Sequence, residues 1–270
     1  MAVLKDLLPK KFLTWLFAPI IFLLVFDYLI SLTYIGVPVL NYHLLTNQIV
    51  SPLAITPDDF NEQMAYLYYN GYTAISPDQL SDYIQLNKPL PKKVVLITFD
   101  DGYRETYTEA YPILQKYNFT ATIFVITDYV GTNSRYLDWD QVREMHDNGF
   151  TIGSHTLNHI SLVNASNEYA EYQLVQSRQA IEDRLKVPVE YFAYPEGFYN
   201  RTIIQLVKKA GYRAAFTVNF GRAKQSSNLF ALNRIPIFKS IHPIYSFILR
   251  LQLTQLVIDI SEVRKILNSW

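Results

Sequence analysis

Two carboxylates and two imidazoles have types and spacings that could hold a metal ion. Asp100 and Asp101 are adjacent at the end of an apolar run, where two buried carboxylates repel each other unless a cation or a proton compensates. His155 and His159 lie four residues apart, so a helical turn places both imidazoles on one face. Two histidines and one carboxylate, with one position open for water, form a catalytic arrangement for zinc or another first-row divalent ion. A hydrated Asp-Asp-Gly turn is the alternative for the carboxylates.

The composition restricts the chemistry to these side-chain types. The 270 residues contain no cysteine, which excludes disulfides, thiolate metal sites and cysteine nucleophiles. Lys plus Arg and Asp plus Glu number 24 each, so the chain lacks the excess positive charge with which proteins bind nucleic acid. The 21 tyrosines and 16 phenylalanines fit an aromatic core and also platforms for stacking sugars. We therefore expect a metal site made of histidine and carboxylate, and no nucleic-acid partner.

Short apolar runs alternate with helical patterns along the chain, which indicates repeated strand and helix units around a parallel sheet. Strands are predicted at residues 37–42, 72–75, 94–99, 121–126, 150–154, 191–194, 214–218 and 232–237. Seven or eight such units predict an α/β fold, a distorted (β/α) barrel, whose active site lies at the carboxyl ends of the strands. The polar groups that follow predicted strands should therefore converge at one mouth: His43, Asp100, Asp101, His155, His159 and the segment Tyr194-Pro195-Glu196-Gly197.

The N-terminal segment is predicted to be a membrane anchor. Lys5, Lys10 and Lys11 precede an apolar run at residues 12–37, which is longer than the ~20 residues of a spanning helix. Lysines on the cytoplasmic side place the rest of the chain outside, which predicts a single-pass transmembrane protein of the cell membrane with an extracytoplasmic domain. A cleaved signal peptide is the alternative, although no clear small-residue cleavage site follows the run.

Three parts of the chain are therefore expected. They are the cytoplasmic N-terminus and anchor at residues 1–36, one catalytic domain at residues 37–242 and an amphipathic helical tail at residues 243–270. In the tail, apolar residues recur with the spacing of one helical face: Leu249, Leu253, Leu256, Ile260, Val263 and Leu267. Most faces of this kind cover part of a barrel, and a minority lie on a membrane.

Two motifs resemble those of a known family. Thr98-Phe99-Asp100-Asp101-Gly102, followed by Ser154-His155-Thr156-Leu157-Asn158-His159, resembles the first two motifs of polysaccharide deacetylases with a NodB homology domain, carbohydrate esterase family 4. Within this family the chain is most similar to the poly-β-1,6-N-acetylglucosamine N-deacetylases of biofilm polysaccharide. The segments that carry this similarity are Val39-Leu40-Asn41-Tyr42-His43, Phe192-Ala193-Tyr194-Pro195 and Leu232-Asn233-Arg234-Ile235.

The resemblance implies a role for each candidate residue. It implies a hydrolase that removes N-acetyl groups from an extracytoplasmic N-acetylglucosamine polysaccharide with one divalent metal ion, zinc first, with cobalt or nickel as alternatives. The implied residues are the metal ligands Asp101, His155 and His159, the base Asp100, the acid His43, and the substrate or oxyanion residues Tyr194, Pro195, Glu196 and Arg234. The third motif here has no arginine to pair with the base, and Arg234 is expected to replace it. The implied partners are the polysaccharide, the membrane and the polysaccharide synthase machinery.

Three other functions fit parts of the pattern. A peptidoglycan or chitin-oligosaccharide deacetylase would share the fold, but the early position of His43 favours the β-1,6 branch. An iron oxygenase could use the same triad of two histidines and one carboxylate. A surface glycan-binding protein without turnover would fit Glu196, which stands where an aromatic residue is common, and the missing arginine.

Overall fold

The computed structural model describes residues 36–49 and 51–254, and a closed barrel of parallel strands forms its centre. The strands in these residues are β1 (Val39–Tyr42), β2 (Leu44–Leu45), β3 (Ala54–Ile55), β4 (Thr73–Ala74), β5 (Val94–Phe99), β6 (Thr122–Val125), β7 (Thr151–Ser154), β8 (Tyr191–Ala193), β9 (Ala214–Phe220) and β10 (Leu232–Pro236). The ring runs in the order β1-β10-β9-β8-β7-β6-β5, and pairing of β1 with β5 closes it. β4 pairs with the start of β5, and β2 and β3 form a separate two-stranded sheet. The predicted (β/α) barrel is confirmed.

Helices connect the strands and cover the barrel from outside. In the described residues they are α1 (Pro57–Tyr69), α2 (Pro77–Leu86), α3 (Tyr111–Lys116), α4 (Trp139–Asp147), α5 (Asn167–Leu185) and α6 (Arg201–Lys209), and residues 243–254 are also helical. Side chains at the helix starts act as caps. The Thr56 hydroxyl accepts from the Asp59 N–H at α1, and Ser76 and Gln79 form a capping box at α2. These caps satisfy N–H groups that have no acceptor within the helix.

Alternate residues of each strand pack on the two sides of the barrel wall. On β5, Val95 and Ile97 belong to the apolar layer between the strands and the helices. Leu96 belongs to a second apolar layer inside the barrel, together with Phe124 of β6. Full burial of one such side chain stabilises the fold by ~1.5–3 kcal/mol. The same alternation directs Asp100, just beyond the end of β5, towards the inside of the barrel at its mouth.

No helix within residues 36–49 and 51–254 is long and apolar enough to cross a membrane. The predicted anchor, residues 1–36, lies outside the described residues except for Gly36. The predicted tail lies outside them after residue 254.

The described part of the tail packs on the barrel with a different face from the one predicted. Phe247 and Leu251 are buried in the core, whereas Leu249 of the predicted stripe is 56% exposed. Of the two locations expected for the predicted stripe, Leu249 does not cover the barrel, and the stripe beyond residue 254 lies outside the described residues. The helix is apolar on two sides, so the spacing of apolar residues alone does not tell which side packs.

Candidate active site

The structure brings the predicted site residues together at one mouth of the barrel. They follow the ends of β1 (His43), β5 (Asp100 and Asp101), β7 (His155 and His159) and β8 (Tyr194, Pro195 and Glu196). Arg234 lies on β10 itself and reaches across the inside of the barrel to Asp100. Because the barrel strands are parallel, their carboxyl ends meet at the same edge, and residues distant in sequence become neighbours there.

Asp101, His155 and His159 form a compact ligand set. Asp101 Oδ1 lies 3.5 Å from His155 Nε2 and 3.4 Å from His159 Nε2, and one ligand atom of each residue lies within 4.8 Å of the others. Asp101 Oδ1 is buried and has no hydrogen-bond partner among the described residues. A buried carboxylate oxygen without a partner is costly, and a cation held by the three side chains would remove that cost. The set therefore fits one divalent metal ion.

Burial sets the protonation of these side chains. It lowers the pKa of His155 to about 3 and also lowers the pKa of His159, so both imidazoles are neutral at pH 7. His155 Nδ1 lies 2.8 Å from the Ala193 carbonyl, which can only accept, so Nδ1 carries the hydrogen and Nε2 is left as a ligand atom. Burial raises the pKa of Asp101 to about 6. At neutral pH all three side chains can thus present a ligand atom to a cation.

The backbone at this mouth adopts left-handed conformations at residues other than glycine. The φ angles are 72° at Asp101, 70° at Thr156, 62° at His159 and 58° at Glu196. Each such residue costs ~1–2 kcal/mol relative to the right-handed conformation. Strain of this kind persists where the surrounding structure enforces it, and it is typical of functional sites. The surrounding fold therefore fixes the backbone of two of the three candidate metal ligands, Asp101 and His159.

A buried arginine holds Asp100 from inside the barrel. Arg234 Nη1 and Nη2 donate to Asp100 Oδ1 and Oδ2 at 2.8 and 2.6 Å, and both side chains are almost wholly buried. Arg234 also donates to the Thr98 hydroxyl and to the Thr217 carbonyl, which fixes the plane of the guanidinium. Burial alone would raise the pKa of Asp100, but Arg234 holds that pKa below its ordinary value, so Asp100 is ionised. Arg234 occupies the place for which the third motif has no arginine.

His43 lies beside Asp100. Its Nε2 is 3.9 Å from Asp100 Oδ2, which is too long for a direct hydrogen bond. The His43 side chain is 14% exposed, so a ligand in the mouth can reach it. An ionised carboxylate and an imidazole thus stand next to the candidate metal ligands. This is the combination that general base and general acid catalysis requires.

The loop after β8 offers one free N–H group. The Tyr194 N–H donates to the Phe216 carbonyl at 3.0 Å, the Gly197 N–H donates to the Tyr194 carbonyl at 2.8 Å, and Pro195 has no N–H. The Glu196 N–H has no acceptor among the described residues, and Glu196 itself is exposed. The Tyr194 side chain is buried and donates to the Phe230 carbonyl, so it packs in the core rather than facing the mouth. Within this loop, Glu196 is the residue whose N–H can bind an oxyanion.

Comparison with known proteins fits this site. The family model for polysaccharide deacetylases matches residues 87–215, which include Asp100, Asp101, His155 and His159. YxkH of Bacillus subtilis, which carries the name of a polysaccharide deacetylase, is 32% identical over 200 residues, or 74% of this chain and 71% of that protein. This chain belongs to the polysaccharide deacetylase family. It is a hydrolase that acts on amides, as the motifs predicted.

Solved deacetylases share the fold of this deacetylase. The deacetylase PplD of Streptococcus pyogenes, solved with acetate, superposes with a TM-score of 0.74 at 32% identity, covering 81% of this chain and 98% of that one. IcaB from Ammonifex degensii superposes with a TM-score of 0.72 at 26% identity, covering 82% and 97%. The poly-β-1,6-N-acetyl-D-glucosamine N-deacetylase of Staphylococcus aureus is 28% identical over 209 residues, which cover 73% of this chain and 72% of that protein.

A stacked tyrosine pair borders the Asp101 side of the deacetylase site. The rings of Tyr103 and Tyr136 lie 5.2 Å apart at 18°, and the two backbones form an isolated antiparallel bridge. Burial and then Asp101 raise the pKa of both phenols. Tyr136 was not predicted as a site residue, because it lies in a loop outside the recognised motifs.

Removal of the Tyr194 hydroxyl should lower the stability of the fold but have little effect on kcat. This hydroxyl donates at 2.9 Å to the Phe230 carbonyl, in the turn before β10, the strand that carries Arg234. We expect Tyr194→Phe to lower the free energy of unfolding by ~0.5–1.5 kcal/mol in urea denaturation. The exposed Tyr172 is the control, since Tyr172→Phe should change neither stability nor acetate release. Unchanged stability with a severe loss of kcat in Tyr194→Phe would contradict the packing role.

Proposed function

We propose that this deacetylase hydrolyses the N-acetyl groups of poly-β-1,6-N-acetylglucosamine with the help of one divalent cation held by Asp101, His155 and His159. The observation that carries the proposal is the pairing of this ligand set with an ionised Asp100 and a nearby His43. The linkage is supported by the name of the Staphylococcus aureus relative and by the position of His43 directly after the first barrel strand.

The residues present fit a zinc ion, with cobalt or nickel as alternatives. Two neutral imidazoles and one carboxylate are a common protein ligand set for such ions, and Asp101 Oδ1 is a buried oxygen that has no protein partner among the described residues. When bound, the cation supplies positive charge that lowers the pKa of a coordinated water and polarises the acetyl carbonyl. Asp101, His155 and His159 hold this charge beside Asp100, at the mouth of the barrel.

Binding of the metal should weaken as the pH falls below about 6. Burial raises the pKa of Asp101 to about 6, so below that pH a proton must leave Asp101 before a cation can bind. His155, with its pKa lowered to about 3, stays neutral throughout this range. We expect the apparent zinc affinity to fall by about tenfold per pH unit below about 6 and to change little above it.

Competition with a chromophoric chelator between ~pH 5 and 7.5 measures this dependence. In Asp101→Asn the affinity should be weaker and its slope over the same range should flatten, because the titrating ligand is gone. An affinity of the unaltered chain that does not depend on pH between 5 and 6 would contradict the role of Asp101.

Asp100 and His43 divide the proton transfers of the reaction. Water attacks the acetyl carbonyl carbon, and Asp100, kept ionised by Arg234, accepts the proton that the water loses. A negatively charged amine is too poor a leaving group, so the nitrogen must gain a proton as the C–N bond breaks. His43, beside Asp100, donates it. The products are acetate and a glucosamine residue with a free amine.

The loop after β8 stabilises the charge that develops on the carbonyl oxygen. The Glu196 N–H is the loop donor without an internal acceptor among the described residues. Its left-handed φ of 58° sets the direction of this peptide group before the substrate binds. The Glu196 side chain adds a negative charge at the mouth, where the product amine is positive.

The proposed place of action is the outer side of the cell membrane. Lys5, Lys10 and Lys11 before the apolar run at residues 12–37 support an anchor whose orientation places the barrel outside. We further propose that the polymer is met as the polysaccharide synthase machinery exports it during biofilm formation. Protease protection of the barrel in intact and permeabilised cells tests the orientation, because an outward barrel is digested in both.

Acetate release from two kinds of polymer tests the substrate. The full chain, supplied with zinc, should release acetate from poly-β-1,6-N-acetylglucosamine faster than from a β-1,4-linked chitin oligosaccharide or peptidoglycan. Release only from a β-1,4 glycan would keep the deacetylase chemistry and overturn the proposed linkage. Binding of the β-1,6 polymer without release, by metal-loaded protein, would favour a glycan-binding function.

A further inference from the structure

The C-terminal helix, residues 243–254, has two apolar faces, and only one of them packs on the barrel. Phe247 and Leu251 form the inner face, and the Phe247 ring meets Tyr66 of α1 edge to face at 6.1 Å. Tyr245 and Leu249 lie on the outer face and are 69% and 56% exposed. Leu253 continues the outer face, so the three residues form a stripe along the helix.

The sequence beyond residue 254 keeps the apolar spacing of the outer-face residues. Leu256, Ile260, Val263 and Leu267 have the spacing that extends the stripe of Tyr245, Leu249 and Leu253. Positions that would extend the inner face are largely polar, including Gln255, Glu262 and Lys265. The apolar spacing of the tail sequence therefore matches Tyr245, Leu249 and Leu253 better than it matches Phe247 and Leu251.

The rim of this outer face is cationic. Residues 238–254 contain Lys239 and Arg250 and no Asp or Glu, although the whole chain has a net charge of zero. Phe238 and Tyr245 add aromatic rings, and the Arg250 guanidinium lies 5.2 Å from the centre of the Phe238 ring. Apolar residues flanked by aromatic and basic side chains are typical of helices that lie in the headgroup region of a bilayer.

The C-terminal helix lies next to the point where the N-terminal segment joins the barrel. The Arg222 guanidinium donates to the Gly36 carbonyl at 3.2 Å and to the Leu251 carbonyl. Gly36, the last residue of the predicted anchor, and the last described turn of the helix are thus linked through one side chain. An anchor that holds Gly36 at a membrane would keep this helix close to that membrane.

We propose that the Tyr245, Leu249 and Leu253 face, together with its cationic rim, is a membrane-binding surface for an anionic bilayer. The proposal rests on the membrane anchor of the proposed function. A second copy of the chain fits less well, because a symmetric contact would bring two cationic rims together. An apolar segment of the chain itself would have no need of the cationic rim.

A single fluorescent probe can test this contact, because the chain contains no natural cysteine. The full chain with Leu249→Cys is labelled with the environment-sensitive dye NBD and reconstituted into vesicles of phosphatidylglycerol and phosphatidylcholine. The matched control is Tyr172→Cys on α5, which is 53% exposed and distant in sequence from the helix. Nitroxide-labelled lipids report contact with the bilayer, and iodide reports contact with water.

We expect the probe at residue 249 to emit at shorter wavelength and to be quenched several-fold more by nitroxide lipids than the probe at residue 172. Omission of phosphatidylglycerol, or the double change Lys239→Gln and Arg250→Gln, should reduce this lipid quenching. Equal quenching of both probes by iodide would overturn the proposal. Shielding of residue 249 from both iodide and nitroxide lipids would also overturn it, in favour of a protein partner. Acetate release by the same reconstituted protein separates the two proposals. If the protein is active but residue 249 does not contact lipid, the membrane-binding surface is overturned and the proposed function stands.

Discussion

Asp100→Asn is expected to lower kcat for acetate release by about 10²–10⁴-fold, the usual contribution of a general base. The amide cannot accept the proton of the attacking water, although it keeps the shape of the carboxylate. Its oxygen can still accept one hydrogen bond from Arg234, so we expect the barrel to remain folded. Initial rates with zinc-loaded protein measure the loss, and circular dichroism verifies the fold.

Asp82→Asn is the matched control for this change. Asp82 is also a carboxylate paired with an arginine, Arg213, but it lies on α2, away from the mouth. Its replacement should leave kcat unchanged. A folded, metal-loaded Asp100→Asn protein with the rate of the unaltered chain would contradict the assignment of the base.

Arg234→Leu is expected to lower the stability of the fold and to shift the pH profile of kcat. Removal of one partner from a buried ion pair leaves the other charge uncompensated, which costs about 3–5 kcal/mol of stability. Without Arg234, burial would raise the pKa of Asp100, so the base would be protonated over a wider acidic range. The fall in activity on acidification should therefore begin at higher pH. Urea denaturation and the pH profile of kcat measure the two effects.

Two further variants keep this prediction testable if Arg234→Leu does not fold. Arg234→Lys retains the charge but loses the bidentate contact, so it should be intermediate in stability and in the shift of the pH profile. Arg213→Leu removes an arginine whose carboxylate partners, Asp78 and Asp82, are partly exposed, so it should cost little and should not move the pH profile. Equal stability losses for Arg213→Leu and Arg234→Leu would contradict the stabilising role of the buried pair of Arg234 and Asp100.

Most of the barrel could be predicted from sequence because its strands are buried on both sides. Such strands read as continuous apolar runs, and the run at residues 94–99 has the bounds of β5. The strands β2 and β3 were not predicted, because two residues each are too few to show a period. The π-helical turn Thr106–Ala110 was not predicted either, since it differs from an α-helix only in its hydrogen bonds.

The convergence of the site residues could be predicted because parallel strands end at one edge. Arg234 was expected to pair with Asp100 because the third motif, around Tyr194, contains no arginine. The contact itself depends on the register of β10 in the ring, which the sequence does not reveal. Glu196 was among the expected oxyanion residues, but which N–H of its loop is free could not be predicted. The Tyr194 and Gly197 N–H groups are both used by backbone carbonyls, which depends on the three-dimensional pairing of the strands.

The tail shows the limit of periodicity as an argument. Leu249 and Leu253 of the predicted stripe lie on one face of the described helix, but the helix buries the neighbouring face with Phe247 and Leu251. Both faces are apolar, and the choice between them depends on tertiary contacts such as that of Phe247 with Tyr66 of α1. The local sequence does not reveal these contacts.

Acetate release by metal-stripped and reloaded full chain tests the central claim most directly. The substrate is poly-β-1,6-N-acetylglucosamine, and His155→Gln is compared with His242→Gln, which alters an exposed histidine outside the site. We expect almost no release after chelation, recovery with about one equivalent of zinc, cobalt or nickel, and recovery in His242→Gln but not in His155→Gln. Undiminished release by protein whose measured metal content is negligible, or equal recovery in the two variants, would contradict the account.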